Sequence, residues 1–163
     1  MATIDVQVVI SRGASLVFDF ATTPNNWPRI WPVTLDVSGD VESSPKVGDR
    51  WVERIRFVIF RGELLWHAIR TEPPHLFVMG NSARGFGLLG FLTRGTTGEI
   101  TYELTERNGT TTLKRVLDYQ VPGVIGKVID TFLIRWLMTK VAHMALATLK
   151  KTLESAASPS GAA

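Results

Sequence analysis

Glu53, Tyr102 and Arg115 are the residues whose type and position could do chemistry in this chain. The segment Trp51-Val-Glu53-Arg-Ile55-Arg-Phe57-Val-Ile59 alternates, and successive side chains of a strand point to opposite faces. One face reads Trp51, Glu53, Ile55, Phe57, Ile59; the other reads Val52, Arg54, Arg56, Val58. The spacing therefore predicts a carboxylate on an apolar, concave face. A carboxylate there needs a partner, or its pKa rises. Thr111, Leu113, Arg115, Leu117 and Tyr119 share a second apolar face, which places a guanidinium among hydrophobic side chains. Tyr102, between Ile100 and Leu104, looks inward from a third strand, where its hydroxyl needs a partner. Glu53 and Arg115 could form an ion pair across the floor of a cavity. They could also anchor a ligand's carbonyl or hydroxyl, or exchange protons with it. The plainer reading is that one or both sit near a strand end and reach water.

The remaining chemistry-bearing residues say less. His67, His75 and His143 are not at metal-ligand spacing such as i,i+4, so no metal site is expected. With Trp66 inward, His67 falls on the outer side of its strand. Gly85-Phe86-Gly87-Leu88-Leu89-Gly90 matches a dinucleotide fingerprint in letters alone, for neither a strand–helix alternation nor a helix start surrounds it. It reads instead as a glycine-rich connection whose apolar residues fold over the sheet's open end, form a lid at a cavity mouth or make a membrane-touching tip. There is no Cys, which excludes disulfides, Cys-ligated zinc and a thiol nucleophile. No GxSxG, Walker loop or HExxH is present. No cofactor is expected.

The elements that must position these residues follow from periodicity. Ile4, Val6, Val8 and Ile10 alternate with polar residues as a strand. Leu16, Val17, Phe20 and Ala21 recur at helical spacing, with Ser11 or Ser15 available as cap. A second short helix or turn fits Pro24 to Pro32, where three prolines forbid a long one. Strands are then expected at 33–41, 50–60, 62–71, 75–82, 96–106 and 110–120. One hairpin turns near Arg61-Gly62 and another at Asn108-Gly109, a strong turn signal. Residues Val124 to Glu154 read as a helix of about 45 Å. Its apolar stripe changes side: Ile125, Val128, Ile129, Phe132 and Trp136 cluster together, but Val141, Ala145, Leu149 and Leu153 point the opposite way. That predicts a break near Leu137–Thr139, or a first half that buries a different surface. Residues 155–163 are small and polar and read as a disordered tail.

This order of elements resembles the helix-grip fold of the START, birch-pollen-allergen and polyketide cyclase/dehydrase superfamily. The resemblance rests on the opening strand with Ala14-Ser-Leu-Val-Phe-Asp-Phe20, on Thr23-Pro-Asn-Asn-Trp27-Pro-Arg-Ile-Trp31, and on Val47-Gly-Asp49. Trp66-His-Ala68 leading to Glu72-Pro-Pro74, and Asn108-Gly-Thr-Thr-Thr-Leu113 before the terminal helix, extend it over about residues 2–154. It implies an α+β fold, a curved antiparallel sheet of about seven strands around a long C-terminal helix, with two short helices after the first strand. Family members bind lipids, sterols, aromatic polyketides or hormones, and some are cyclases or dehydratases.

Length and composition agree with one domain at 1–154, since 163 residues fit a single core and 45% hydrophobic residues exclude a disordered chain. The net charge of +3 is spread out, with no like-charge block, so no nucleic acid is expected as a partner. The apolar terminal segment is interrupted by charges, so no membrane span is expected, and the absence of Cys fits a reducing cytosol, so a cytoplasmic location is expected. The leading expectation is binding of a hydrophobic small molecule, lipid-like or aromatic, between sheet and helix. Trp51, Phe57, Tyr102, Phe132 and Trp136 would form its walls, and Glu53 and Arg115 its polar contacts. A cyclase/dehydratase-like enzyme using Glu53, Tyr102 and Arg115 is the alternative. A third is an interaction module, for example a homodimer, pairing through the apolar first half of the terminal helix.

Overall fold

The computed structural model describes residues 2–57, 60–85, 97–120 and 135–156. Strand β1 (Ala2–Ile10) leads into α1 (Ala14–Thr22), a 3-10 turn at Pro24–Asn26 and the short α2 (Trp27–Ile30). Six strands follow: β2 (Thr34–Gly39), β3 (Arg50–Phe57), β4 (Phe60–Glu72), β5 (Leu76–Arg84), β6 (Thr97–Arg107) and β7 (Thr110–Gln120). Helix α3 (Arg135–Ser155) comes last. All seven strands form one antiparallel sheet in the order β1-β7-β6-β5-β4-β3-β2. This is the α+β helix-grip architecture that the element order predicts.

The alternation that predicts the strands also sorts the side chains. Ile4, Val6, Trp51, Ile55, Trp66, Phe77, Met79, Ile100, Leu104, Leu113 and Leu117 are buried on the inner face. α1 and α3 close over that face, contributing Val17, Phe18, Ala145, Leu146, Leu149 and Leu153 to the same core. The β6–β7 hairpin turns at Asn108 (φ 52) and Gly109 (φ 72), the left-handed pair that a two-residue hairpin turn requires. The other hairpin differs from expectation. Phe57 pairs with Phe60 and Arg56 with Arg61, so Arg61 and Gly62 belong to the ladder and are not the turn. Gly62 is instead a buried ladder residue opposite Ile55.

The terminal helix also corrects an expectation. α3 runs without interruption through residues 137–140, so no break falls at Leu137–Thr139. Its buried residues, Ala142, Ala145, Leu146, Leu149 and Leu153, recur at helical spacing and make one inward stripe. The stripe changes side in the sequence because Trp136 is not part of it: this side chain is 60% exposed. Residues 124–134, including Phe132, lie outside the described residues, as do 86–92 and 157–163 of the expected connection and tail.

α3 is fastened along the edge strand β1. Arg135 and Lys150 donate to the Thr3 and Val9 carbonyls at 3.1 and 2.7 Å, covering that edge with cations. At its C-terminal end the Ser11 N–H donates to the Glu154 carboxylate, and Arg12 donates to the Glu154 carbonyl, both at 2.8 Å. A cation here also suits the helix dipole.

Candidate functional site

The site is assembled on the inner face of the sheet, beneath α2. β3 delivers Trp51 and Glu53, β4 Trp66, β6 Tyr102 and β7 Arg115. Glu53, Tyr102 and Arg115 are 4%, 2% and 6% exposed. They are therefore core residues, not strand-end groups that reach water.

Glu53 sits in a designed-looking socket. The Thr34 hydroxyl donates to Oε1, and the Trp66 indole N–H donates to Oε2 at 2.9 Å. Removal from water pushes its carboxyl above the ordinary carboxylate value, against the lowering effect of these two donors and of the more distant Arg115 charge. Its direct partners are thus Thr34 and Trp66, and Arg115 reaches it through its field.

Thr34 reaches Glu53 because of a β-bulge. Thr34 pairs with Ile55 while Asp36 pairs with Arg54, so Leu35 is an extra residue in β2. The insertion moves Thr34 and Asp36, two apart in sequence, to opposite faces. Thr34 turns inward to Glu53, and Asp36 turns outward to an ion pair with Arg54 at 2.6 Å.

Around Glu53 stands an indole cluster. Trp27 of α2 meets Trp51 and Trp66 edge-on, with ring centroids 5.7 and 5.5 Å apart. Trp51 and Trp66 stack at 6.3 Å, as directly paired cross-strand residues can. Trp27 is itself pinned by a hydrogen bond from its Nε1 to the Ala21 carbonyl at 3.1 Å. Trp51 Nε1 is buried and has no hydrogen-bond acceptor among the described residues.

Arg115 occupies the other end of α2. Its guanidinium lies 4.7 Å from the Trp31 ring centroid, a cation–π contact. It also makes a hydrogen bond with Tyr102, directly opposite it in the β6–β7 ladder. Its Nε is buried with no acceptor among the described residues. Burial lowers the affinity of this arginine for its proton and raises that of the Tyr102 hydroxyl. Tyr102 is thereby held neutral, with its oxygen accepting from Arg115 and its own proton left to donate.

Residues 1–154 match the family described as polyketide cyclase/dehydrase and lipid transport. The chain belongs to this family. No curated protein matches it significantly. Solved structures share its fold at low identity. A conserved protein from Geobacillus kaustophilus has a TM-score of 0.73 at 12% identity, over 94% of this chain and 96% of that one. The Aha1 dimer from Colwellia psychrerythraea has a TM-score of 0.63 at 18% identity, over 94% and 97%. The di-domain ARO/CYC protein BexL from the BE-7585A biosynthetic pathway has a TM-score of 0.64 at 15% identity. It covers 98% of this chain, which spans 48% of BexL. These likenesses show the fold alone.

Within this polyketide cyclase/dehydrase fold, Trp51, Glu53, Tyr102 and Arg115 come together on one face, as their spacing predicts. Trp136 does not join them. It stands on the outer side of α3, with Lys140 Nζ 5.3 Å from its ring, beside an open groove of about 560 Å³ that Thr139, His143 and Met144 also line. The side chain of Phe57, like the whole of Phe132, lies outside the described residues. His67 is exposed on the outer face, where its ring lies so close over Gly80 that a Cβ there would meet it at 2.6 Å. Periodicity alone misses Thr34, Trp27 and Trp31. Thr34 is hidden by the bulge, and the two tryptophans by a proline-rich segment with no strand or helix period. Among the described residues, no His, Asp or Glu cluster could hold a metal, and no helix is long and apolar enough to cross a membrane.

Proposed function

We propose that this chain binds a hydrophobic small molecule, lipid-like or aromatic and polyketide-like, between the inner face of the sheet and the C-terminal helix. One observation carries the reading: three buried polar side chains from three strands, Glu53, Tyr102 and Arg115, sit on a face built mostly of aromatic and aliphatic groups. An apolar surface with a few convergent polar groups is the usual make-up of a small-molecule site. The family's description, cyclase/dehydrase and lipid transport, supports a hydrophobic-ligand or cyclase-like role. In this reading the tryptophans supply contact area and Arg115 with Tyr102 orients the ligand's oxygen.

The test is native mass spectrometry of the full chain purified from its own host. A retained apolar small molecule is the expected result. Empty protein, together with no binding of either the neutral dye N-phenyl-1-naphthylamine or its anionic counterpart 1-anilinonaphthalene-8-sulfonate, overturns it.

A second reading has its own support. Burial holds the Glu53 carboxyl toward its protonated form, so it is a proton source inside an apolar site. A cyclase- or dehydratase-like enzyme would place a carbonyl at Arg115 and Tyr102 and protonate it from Glu53. BexL, an ARO/CYC protein, shares the fold. Glu53→Gln should then abolish turnover of a poly-β-ketone substrate while leaving its binding intact. Unchanged turnover removes this reading.

A further inference from the structure

Among the described residues, Arg115 differs in kind from the ion-paired cations of the sheet. On the outer face Arg54 faces Asp36 at 2.6 Å, Arg70 faces Glu72 at 2.6 Å and Lys114 faces Asp5 at 3.4 Å. These groups are substantially exposed, and water alone would satisfy them. Arg115 is buried and forms no ion pair among the described residues. Its Nε has no acceptor there either. Glu53, the carboxylate on the same face, has each oxygen already engaged by Thr34 or Trp66. Of the other buried polar groups nearby, the Tyr102 hydroxyl accepts from the guanidinium and keeps its own proton to donate, and Trp51 Nε1 is a donor with no acceptor among the described residues. The inner face therefore presents an excess of buried donors and one buried positive charge. A guanidinium taken out of water without a counter-charge is costly, and an anion with two oxygen acceptors is the complement that its planar fork fits.

We propose that the ligand of this site is an acidic amphiphile, an apolar body carrying a carboxylate or an enolate or phenolate oxygen that seats on Arg115. The proposal rests on the hydrophobic-ligand reading above and narrows it from neutral oxygen groups to anionic ones. Trp31, with its ring centroid 4.7 Å from the guanidinium, adds a cation–π contact, and the Tyr102 hydroxyl, which accepts from Arg115, has its own proton left to donate.

The experiment compares two dyes of one aromatic skeleton, 1-anilinonaphthalene-8-sulfonate and the uncharged N-phenyl-1-naphthylamine, by fluorescence titration of the full chain at neutral pH. The wild type is expected to bind the anionic dye about tenfold or more tightly than the neutral one, the range of one charge-assisted hydrogen bond. Arg115→Met should remove that preference, weakening the anionic dye about tenfold while the neutral dye keeps its affinity. Arg115→Lys, which retains the charge, should keep the preference and supplies the comparison if the methionine variant does not fold. Equal affinities in the wild type, or a preference that survives Arg115→Met, overturns the anionic assignment and leaves the hydrophobic site standing. Failure of both dyes to bind overturns the hydrophobic site and this proposal with it.

Discussion

Glu53 and Arg54 are neighbours in β3, and Lys114 and Arg115 are neighbours in β7, yet the pleat sends each pair to opposite worlds. Arg54 and Lys114 stand in solvent and have carboxylate partners on adjacent strands. Glu53 and Arg115 are buried, and neither is the other's direct partner. The comparison teaches that pairing and importance run in opposite directions here. Outside, high dielectric makes an ion pair easy to form and nearly worthless. Inside, each unneutralised group has a large cost and therefore a large leverage on stability, proton affinity and ligand choice.

The sharpest way to break this contrast is to remove the inner donors. Trp66→Ala takes away an indole in contact with two others and leaves Glu53 Oε2 without its hydrogen bond. Urea unfolding should show a loss of about 3–5 kcal/mol, and a loss below about 1 kcal/mol would mean the cluster is not a packed core.

The next effect is read across pH. The folded Glu53 carboxyl lies above its ordinary value of 4.5, so the stability it contributes is complete below that value. That contribution is lost as pH rises through the higher folded value. Glu53→Gln, which cannot ionise, should therefore gain on the wild type as pH increases from about 4 to 8. Parallel stability–pH curves for the two proteins would show that Glu53 is not held toward neutrality.

Thr34→Val tests the bulge. It keeps the shape and deletes the hydroxyl donor to Glu53, so a loss of about 1–2 kcal/mol is expected. An unchanged urea midpoint would mean that the contact adds nothing. On the outer side Lys114→Met should change stability by about 0.5 kcal/mol or less, a change that added salt erases. Trp136→Ala belongs with the smallest effects. This exposed indole should cost about 0.5 kcal/mol or less, and a large loss of stability would show that it packs against the fold.

The strands, their faces and the inward position of Glu53, Tyr102 and Arg115 were legible because a strand has a period of two and each face meets one environment. Glu53 is flanked two residues away by Trp51 and Ile55, and Arg115 by Leu113 and Leu117, so the pattern marks them directly. Thr34 was not legible, since a one-residue bulge inverts the alternation without leaving a composition signal. Trp136 misled for a related reason. Its helical phase places it with other apolar residues, but phase does not say which side of a helix the sheet will cover.

The sequence by itself determined the order of elements, the hairpin at Asn108-Gly109 and the set of residues that share each strand face, because these depend on local geometry and short-range periodicity. Only the tertiary structure decided the partners. Thr34 and Trp66, rather than Arg115, take the Glu53 oxygens, and Trp31 and Tyr102 flank the guanidinium. The physical reason is that hydrogen-bond and ion-pair partners are settled over a few ångströms, by a bulge in one edge strand and the seating of a four-residue helix across the sheet. No periodicity in the chain encodes distances of that size between residues so far apart in sequence.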